Sequence, residues 1–370
     1  MEISAMLSQL RDPMGVPFFP VVFQVLMVLT FALHIFMVNI VVGGSFMAIW
    51  SRLKGGDYNI RLSKTLAKAT TVNLSVAILL GIAPLLFVQV IYDPFWYSAT
   101  LMSGWWSMLF LLIIMLGFLA LYVFYLKGRN GASGGGIFGW FTLGAVLFAG
   151  VIMHMLAMQS LHPEEWVKWY APGGVMDTSG WAFNAFSIER FLHFIVPAFI
   201  NTGIFMMLYA WYFKPRSDMD GAYLDWVAGT GAKLTLYAFF VQIAVGFWFL
   251  LGLPADLAFI YNPWVWVAAT LALAAFGMVV KAQKDPIGSA PLLGLLSVVA
   301  VLGMSITREV LRMTYVGVYE YSIYDYPMSM DWGSTALFLA TFVAGLVVIA
   351  YPIGIAFKAG RMNAEAAKEL

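Results

Sequence analysis

Apolar residues run along this chain in nine long blocks that are separated by short polar connections. An α-helix needs about 20 residues to cross the roughly 30 Å of hydrocarbon in a bilayer, and every block reaches that length. The blocks occupy 18–50, 69–92, 104–126, 137–161, 187–213, 228–252, 261–280, 288–307 and 333–357. This pattern predicts an all-α integral membrane protein with nine transmembrane helices, preceded by an interfacial segment over 1–17 and followed by a cytoplasmic tail over 358–370.

The composition agrees with a multi-pass membrane protein. Of the 370 residues, 62% are hydrophobic and 11% are charged, and the mean hydropathy is +0.86. These values lie far outside the range of soluble domains. The net charge is only +1 and no basic run is present, so nucleic acid is not an expected partner.

Lysine and arginine are distributed unequally between the two sides of the predicted bundle. One set of alternate loops, with the chain end, carries Arg52, Lys54, Arg61, Lys64, Lys68, Lys127, Arg129, Lys214, Arg216, Lys233, Lys281, Lys284, Lys358, Arg361 and Lys368. The other side carries only Arg11, Lys168, Arg190, Arg308 and Arg312. The positive-inside rule therefore predicts that the N-terminus lies outside and the C-terminus lies in the cytoplasm.

Cysteine is absent from the chain. This excludes a disulfide, a thiolate-bound iron–sulfur cluster and a covalently attached c-type haem in this chain. If the protein transfers electrons, it must use a non-covalent cofactor held by histidine, methionine or carboxylate side chains.

Three of the four histidines, His34, His154 and His193, fall inside apolar blocks. At a helical rise of about 1.5 Å per residue, His154 and His193 each lie ~10 Å from the outer end of their block. Two imidazoles in one layer could bind haem between them, or one of them could pair with a nearby methionine. The alternative is that each ring is hydrogen-bonded to a neighbouring helix. His162 lies in an outer loop and is expected to be a solvated or interfacial residue.

Glu309 stands between Arg308 and Arg312 where the eighth block ends. The three residues could form a plain ion-pair cluster at the membrane edge. They could also provide a carboxylate ligand to a metal, with the arginines pairing with haem propionates. The central parts of the blocks contain no Asp or Glu, which argues against ion-coupled transport.

The outer loops over 93–97, 163–170 and 318–326 are rich in aromatic residues and carboxylates. Some of these aromatics are expected to form the belt at the headgroup level. Their number beyond a belt predicts a docking face for another subunit.

Three short motifs resemble those of the large, haem-bearing subunit of the cytochrome bd oxidase superfamily. They are 31–38 (FALHIFMV), 189–193 (ERFLH) and 307–312 (TREVLR), and they occur in the family's order on the first, fifth and eighth blocks. The resemblance extends over nearly the whole chain and implies nine spans with an outer N-terminus.

The resemblance also implies ligand roles. His34 would bind the active-site haem, His193 the outer low-spin haem b, and Glu309 a second haem b whose propionates Arg312 would meet. The family's low-spin haem takes a methionine from the start of the seventh span, but 263–269 (PWVWVAA) contains none. We therefore predict His154 as the second ligand of that haem.

Two further departures bear on the reaction. The loop at 253–261, which binds quinol in the oxidases, is short here, and 104–112 lacks the glutamates that deliver protons there. These differences predict a divergent, shortened family member that passes electrons through one to three b-type haems. It would work in a bacterial or archaeal cytoplasmic membrane, as part of an oxidoreductase complex.

The expected partners are a sister membrane subunit of similar fold and a periplasmic cytochrome or iron–sulfur protein on the outer loops, with quinone as a further candidate. Two alternatives stay open. One is a terminal oxygen or nitric oxide reductase that uses His34 as the ligand of a five-coordinate haem. The other is a haem-free scaffold or transporter subunit whose histidines are structural.

Overall fold

The computed structural model describes residues 3–129 and 135–362, and these residues are mostly helical. The α-helices are α1 Ile3–Leu10, α2 Pro20–Lys54, α3 Asp57–Ile91, α4 Asp93–Met102, α5 Gly104–Arg129, α6 Gly136–Gln159, α7 Trp166–Tyr170, α8 Ile188–Ile195, α9 Pro197–Phe213, α10 Gly221–Leu251, α11 Pro263–Ala282, α12 Pro286–Gly317 and α13 Trp332–Arg361. In these residues the only β pairing outside a strand is a bridge between Val16 and Met328.

Within the described ranges, nine helical segments are long and apolar enough to cross a membrane. They are α2, α3, α5, α6, the α8–α9 pair, α10, α11, α12 and α13. The prediction of an all-α, nine-helix membrane protein is therefore confirmed. The orientation of the termini stays a prediction, and we follow it in calling the end with the loops after α3, α6 and α12 the outer end.

Several helices extend beyond the apolar blocks that predicted them. Helix α3 begins at Asp57 rather than 69, and α12 continues to Gly317 rather than ending at 307. A helix does not stop where the hydrocarbon stops, because lysine and arginine stems can lie along it while their charges reach the interface. As a result, Arg308, Glu309 and Arg312 lie on a continuous helix and not in a connection.

The fifth apolar block predicts one uninterrupted run, and the structure divides it. Helix α8 ends at Ile195, and α9 begins at Pro197. Proline has no backbone N–H and its ring clashes with the preceding turn, so the helical ladder is interrupted there. The break separates the outer eight residues, which carry His193, from the long inner segment.

Helix α2 lies at the centre of the bundle and packs along α3, α9, α6 and α12. Small residues allow its backbone to approach α9 closely, because a Cβ atom on Gly43 would lie only 2.3 Å from the Ala198 carbonyl oxygen. Helices α9 and α10 meet in the same way at Gly203 and Gly231. Close backbone contact of this kind increases van der Waals packing between helices in lipid.

Helix α13 stands apart from the other helices. Its described side chains are exposed or only partly buried, and it contacts α9 near its inner end. There the Tyr212 hydroxyl donates to the Phe357 carbonyl oxygen at 2.7 Å. The predicted tail over 358–370 begins within this helix, and its last eight residues, 363–370, lie outside the described residues.

Candidate functional site

Glu309 on α12 is a buried carboxylate at the outer end of the bundle, with 3% of its surface exposed. Its Oε1 atom accepts a hydrogen bond from the Tyr92 hydroxyl at 2.6 Å and another from Gln24 Nε2 at 3.2 Å. Its Oε2 atom lies 3.2 Å from Arg312 Nη1 but has no partner with hydrogen-bond geometry among the described residues. Oε1 therefore has two hydrogen-bond donors, whereas Oε2 has only the Arg312 charge beside it.

The helix register explains why Arg312 accompanies Glu309. The two residues are three positions apart on α12, so they share a face of the helix. The Arg312 guanidinium also lies over the Tyr92 ring, 4.9 Å from its centroid, and donates to Met27 Sδ at 3.4 Å. Arg312 thus joins the start of α2, the end of α3 and α12 at one point.

Two other arginines of this end have no carboxylate within salt-bridge distance among residues 3–129 and 135–362. Arg190 is 6% exposed; its Nη1 donates to Met158 Sδ at 3.3 Å, and its guanidinium carbon lies 5.9 Å from the Phe249 ring centroid. Arg308 is partly buried, with its guanidinium carbon 4.1 Å from the Phe31 ring centroid.

Arg190, Arg308 and Arg312 lie within electrostatic range of one another. A buried charge is costly unless an opposite charge accompanies it. Three guanidinium groups with the Glu309 carboxylate close to only one of them therefore form a site with a strong preference for an anion.

His34 projects from α2 onto α3. Its Nδ1 lies 2.8 Å from the Ala77 carbonyl oxygen, and a Cβ atom on Gly81 would lie 2.7 Å from its Cε1. A carbonyl oxygen can only accept, so Nδ1 must carry the proton, and Nε2 keeps its lone pair. This is the arrangement in which a metal-binding histidine is usually oriented by its surroundings.

His193 on α8 contacts α10. Its Nδ1 lies 3.0 Å from Gln242 Nε2, and the same amide nitrogen donates to the His193 carbonyl oxygen at 3.3 Å. The buried Gln242 Oε1 has no partner among the described residues. Rotation of this amide by 180° would let Oε1 accept from Nδ1–H and would leave the ring Nε2 free for a metal, but it would end the donation to the His193 carbonyl oxygen.

His154 on α6 and His193 on α8 each lie within electrostatic range of Arg190. The His154 Nε2 atom accepts a hydrogen bond from the Ser187 backbone N–H at 3.3 Å. Ligation by this nitrogen would require that hydrogen bond to break. The predicted pairing of His154 with His193 through iron therefore stays a prediction, and it would cost this hydrogen bond.

His162 lies in the loop after α6, where its Nδ1 is 2.9 Å from Glu164 Oε1. The His162 ring also packs edge-on against Tyr315, with 5.8 Å between centroids, and the expectation of a solvated or interfacial residue stays a prediction.

Phe31 connects the separate parts of the site. Its ring packs edge-on against Phe194, with 6.4 Å between centroids, and Arg308 lies over it. Phe31 is one helical turn before His34, and Phe194 follows His193. The two histidine positions and the arginine cluster therefore meet around one aromatic contact.

The predicted ligands do not form a bare-metal site. In the described part of the chain, no three His, Cys, Asp or Glu side chains come together as a group that could hold a metal ion. Iron inside a porphyrin needs only one or two protein ligands. His34 Nε2 and Glu309 Oε2 each lack a hydrogen-bond donor in the described part of the chain, and Arg190 and Arg308 lack a carboxylate there, so together they fit haem rather than a free cation.

Some outer aromatics fold inward and do not form a belt. The Tyr321 and Tyr326 hydroxyls are 2.6 Å apart, and Tyr326 donates to Asp93. Asp93 also accepts from the Asp12 backbone N–H at 2.8 Å. Arg11 covers the Tyr321 and Tyr326 rings at 4.3 and 4.7 Å. Burial raises the pKa of the Asp93 carboxyl above its ordinary value.

Three contributors to the site, Arg190, Tyr92 and Gln24, are not predicted by the sequence pattern. From the sequence, Arg190 is counted only among the charges of the outer side. Its position three residues before His193, on the same turn of an amphipathic helix, could have indicated that it belongs to the site. Tyr92 and Gln24 carry no such signal, because they meet Glu309 only through tertiary packing.

No protein-family model matches the sequence, and a search of curated proteins found no match. A search of solved structures does find a similar fold. The structure of bd oxidase from Geobacillus thermodenitrificans superposes with a TM-score of 0.68 at 12% sequence identity, and the match covers 92% of this chain and 98% of that chain. The chain has the fold of a bd oxidase chain.

This likeness to the bd oxidase chain confirms the fold that the motif resemblance implied, and at 12% identity it shows the fold alone. Because nearly all of the neighbouring chain is matched, this chain is not shortened relative to that neighbour. The shortening expected from the loop at 253–261 stays a prediction about the large haem-bearing subunit.

Proposed function

We propose that this chain is a membrane subunit of a bd oxidase-like respiratory complex, and that it binds b-type haem and transfers electrons. The observation that carries the proposal is the buried outer cluster in which Arg190 and Arg308 lack a carboxylate partner among the described residues. Haem brings two propionate groups, which supply the missing anions. Guanidinium groups pair with carboxylates through two parallel hydrogen bonds.

The residues that would hold the cofactor are those with a side-chain atom that no other described group occupies. Glu309 Oε2 and His34 Nε2 would each ligate the iron of a different haem. His193 would ligate a further haem iron once the Gln242 amide has rotated. Arg190, Arg308 and Arg312 would meet propionates. A bound haem would supply a one-electron carrier; the chain orients it and excludes water from its polar groups.

Partner proteins would meet this subunit on two surfaces. The outer loops expose Tyr97, Tyr261 and Tyr324 at 51%, 82% and 51% of their surface, and tyrosine is enriched at protein interfaces. We assign this face to a periplasmic electron-transfer protein. Helix α13 exposes its sides along the bundle, and we assign that face to a sister membrane subunit.

A haem-free structural subunit is the second candidate. The observation that favours it is that His34, His154 and His193 each already have a hydrogen-bond partner within the chain. A protein of this kind would keep its assembly when any one of these histidines is replaced.

A haem assay separates these two candidates. The complex is purified from native membranes, and haem b is measured per chain by the pyridine haemochrome method, together with reduced-minus-oxidised spectra. We expect one to three haems per chain. We expect His193→Ala and Glu309→Gln to lose bands, while His162→Ala, at the loop histidine, keeps them all. A colourless complex after haem supplementation would show that the haem-free candidate is right.

Two further measurements refine the assignment. Carbon monoxide binds a five-coordinate haem but not one with two axial protein ligands, so carbon monoxide binding would favour the oxygen or nitric oxide reductase. The variant His154→Gln keeps an acceptor for the Ser187 N–H but is a poor iron ligand. If His154 is the partner of His193, this variant should convert the low-spin haem to high-spin. An unchanged low-spin spectrum would assign that ligand elsewhere.

A further inference from the structure

We infer that Tyr92 and Gln24 are positioning residues that hold Glu309 so that only its Oε2 atom can ligate a haem iron. The inference rests on the proposed function for the identity of the metal. The difference between the two carboxylate oxygens, of which only Oε1 accepts hydrogen bonds, is seen within the chain itself.

The asymmetry of the carboxylate is the first step. Oε1 accepts from two donors, the Tyr92 hydroxyl and Gln24 Nε2, whereas Oε2 has no donor with hydrogen-bond geometry in the described residues and only the Arg312 Nη1 charge at 3.2 Å. An oxygen with both acceptor directions occupied has little capacity left for a metal. A bidentate bond from Glu309 to iron would require both donors to leave. The geometry therefore points to a monodentate ligand through Oε2.

The Tyr92 hydroxyl is held in place from two sides. The residue is 1% exposed. Its ring stacks on Tyr321 with 6.2 Å between centroids, and the Arg312 guanidinium covers it at 4.9 Å. A ring packed in this way cannot swing its hydroxyl away from Glu309 without opening the cluster.

The direction of the Gln24 amide is also determined by its neighbours. The hydroxyl of Tyr324, which is 51% exposed, donates to Gln24 Oε1 at 2.5 Å. The Nε2 end must then point inward, where it meets Glu309 Oε1 and Met313 Sδ. Both of these atoms accept hydrogen bonds, so the orientation with Nε2 inward satisfies every group.

The two donors should also tune the electronic character of the ligand. Each donated hydrogen bond withdraws charge from the carboxylate, and this weakens its donation to iron and disfavours the oxidised metal. Loss of one donor should therefore stabilise the oxidised haem relative to the reduced haem.

The test uses the purified complex with its haems, and it measures the midpoint potential and the electron paramagnetic resonance spectrum. The haem concerned is first identified as the one whose signal Glu309→Gln removes. We expect Tyr92→Phe and Gln24→Leu each to raise its ratio of oxidised to reduced form at a fixed potential about tenfold, which is a shift of about 59 mV to lower potential. The signals of the other haems should not move.

Tyr321→Phe is the matched control. It keeps the ring that stacks on Tyr92 and removes only a hydroxyl that makes no hydrogen bond to Glu309. Its potential should equal that of the wild type. Because Tyr92 and Gln24 lie on different segments of the chain, a folding failure in one variant leaves the other as the test.

Three outcomes would overturn the inference. One is an unchanged potential and spectrum in a folded, haem-loaded Tyr92→Phe or Gln24→Leu complex. The second is an equal shift in Tyr321→Phe. In both cases the proposed function would stand. The third is a wild-type complex without haem, which is detected at the first purification and would remove the proposed function as well.

Discussion

Pro197 stands four residues after His193 and leaves the His193 carbonyl oxygen without its helical donor. In an uninterrupted helix that oxygen would accept from the backbone N–H of residue 197, which proline does not have. The Gln242 amide takes this place, at 3.3 Å from the oxygen and 3.0 Å from the His193 ring nitrogen. Because Pro197 lacks an N–H, the His193 carbonyl oxygen accepts from the Gln242 amide, which also contacts the imidazole.

The first prediction concerns this contact. In Gln242→Leu, both hydrogen bonds to His193 disappear, and the ring loses its orienting partner. Loss of such a partner commonly lowers metal affinity by about 10–100-fold. We expect the haem assigned to His193 to be lost more readily on dilution or to change its low-spin spectrum. Absorbance during haem titration measures both effects.

Gln283→Leu is the control for Gln242→Leu. The Gln283 amide donates to the Ala232 and Val279 carbonyl oxygens at the inner end of the bundle, far along α10 from His193. It should leave haem affinity unchanged. Equal loss in both variants would mean that general destabilisation, and not orientation of His193, causes the effect.

The second prediction concerns the unpaired charge of Arg190. Without haem, Arg190→Met should stabilise the protein, because a buried cation without an anion is removed and the sulfur and aromatic contacts can remain. With haem, the same change should destabilise the protein, since a propionate loses its partner. Breaking a buried pair costs about 3–5 kcal/mol. Thermal unfolding of both forms in detergent measures the change of sign.

Arg61→Met is the matched surface control for Arg190→Met. The Arg61 side chain is 39% exposed and lies 3.8 Å from Asp220, so its removal should have a small effect of the same sign in both forms. If Arg190→Met lowers the stability of the haem-free protein as well, then Arg190 has a partner other than a bound anion.

The third prediction concerns the packing of His34. In Gly81→Ala, the new Cβ atom would lie 2.7 Å from His34 Cε1, so the ring must move. The displacement should weaken the Nδ1 hydrogen bond to the Ala77 carbonyl and change the spectrum of the haem assigned to His34. Gly144→Ala on α6 meets no atom within 4 Å and should behave as the wild type. Identical spectra for the two variants would place His34 outside the haem site.

The fourth prediction concerns pH and Asp93. Burial raises the pKa of this carboxyl in the folded protein, so folding favours its protonated form. The contribution of the protonated Asp93 carboxyl to stability is full below the unfolded pKa of about 3.9 and is lost as pH rises through the folded pKa. Asp93→Asn cannot lose a proton, so its unfolding temperature should fall less than that of the wild type as pH rises from about 4.

The groups facing Asp93 are Tyr326, Tyr321, Arg11, the Asp12 backbone N–H and the Asp12 carboxylate. Tyr326→Phe removes one donor but keeps the titrating carboxylate, so it should retain the pH dependence that Asp93→Asn loses. Asp325→Asn changes an exposed residue of the neighbouring loop and serves as the surface control. If Asp93→Asn keeps the wild-type slope, Asp93 does not cause it.

Much of the architecture could be predicted from the amino-acid sequence because lipid imposes a simple rule. A segment in hydrocarbon must satisfy its backbone internally and show apolar side chains, so long apolar blocks identify the spanning helices. The same rule makes each polar residue inside or at the end of a block conspicuous, and for this reason the sequence alone singles out His34, His154, His193 and Glu309. Charge distribution predicts the orientation for a related reason, which is the preference of cationic loops for the cytoplasmic side.

Only the tertiary structure determines which side chains contact Glu309, His193 and Arg190. Tyr92 is 217 positions from Glu309, and Gln24 is 285 positions from it, so no local pattern joins them. The pairing of Gln242 with His193 and the isolation of Arg190 among sulfur and aromatic neighbours depend in the same way on how helices pack. Hydrogen bonds and buried charges depend on ångström-scale distances between segments that are far apart in the sequence. The hydrophobic pattern along the chain predicts only how deep a residue lies in the membrane.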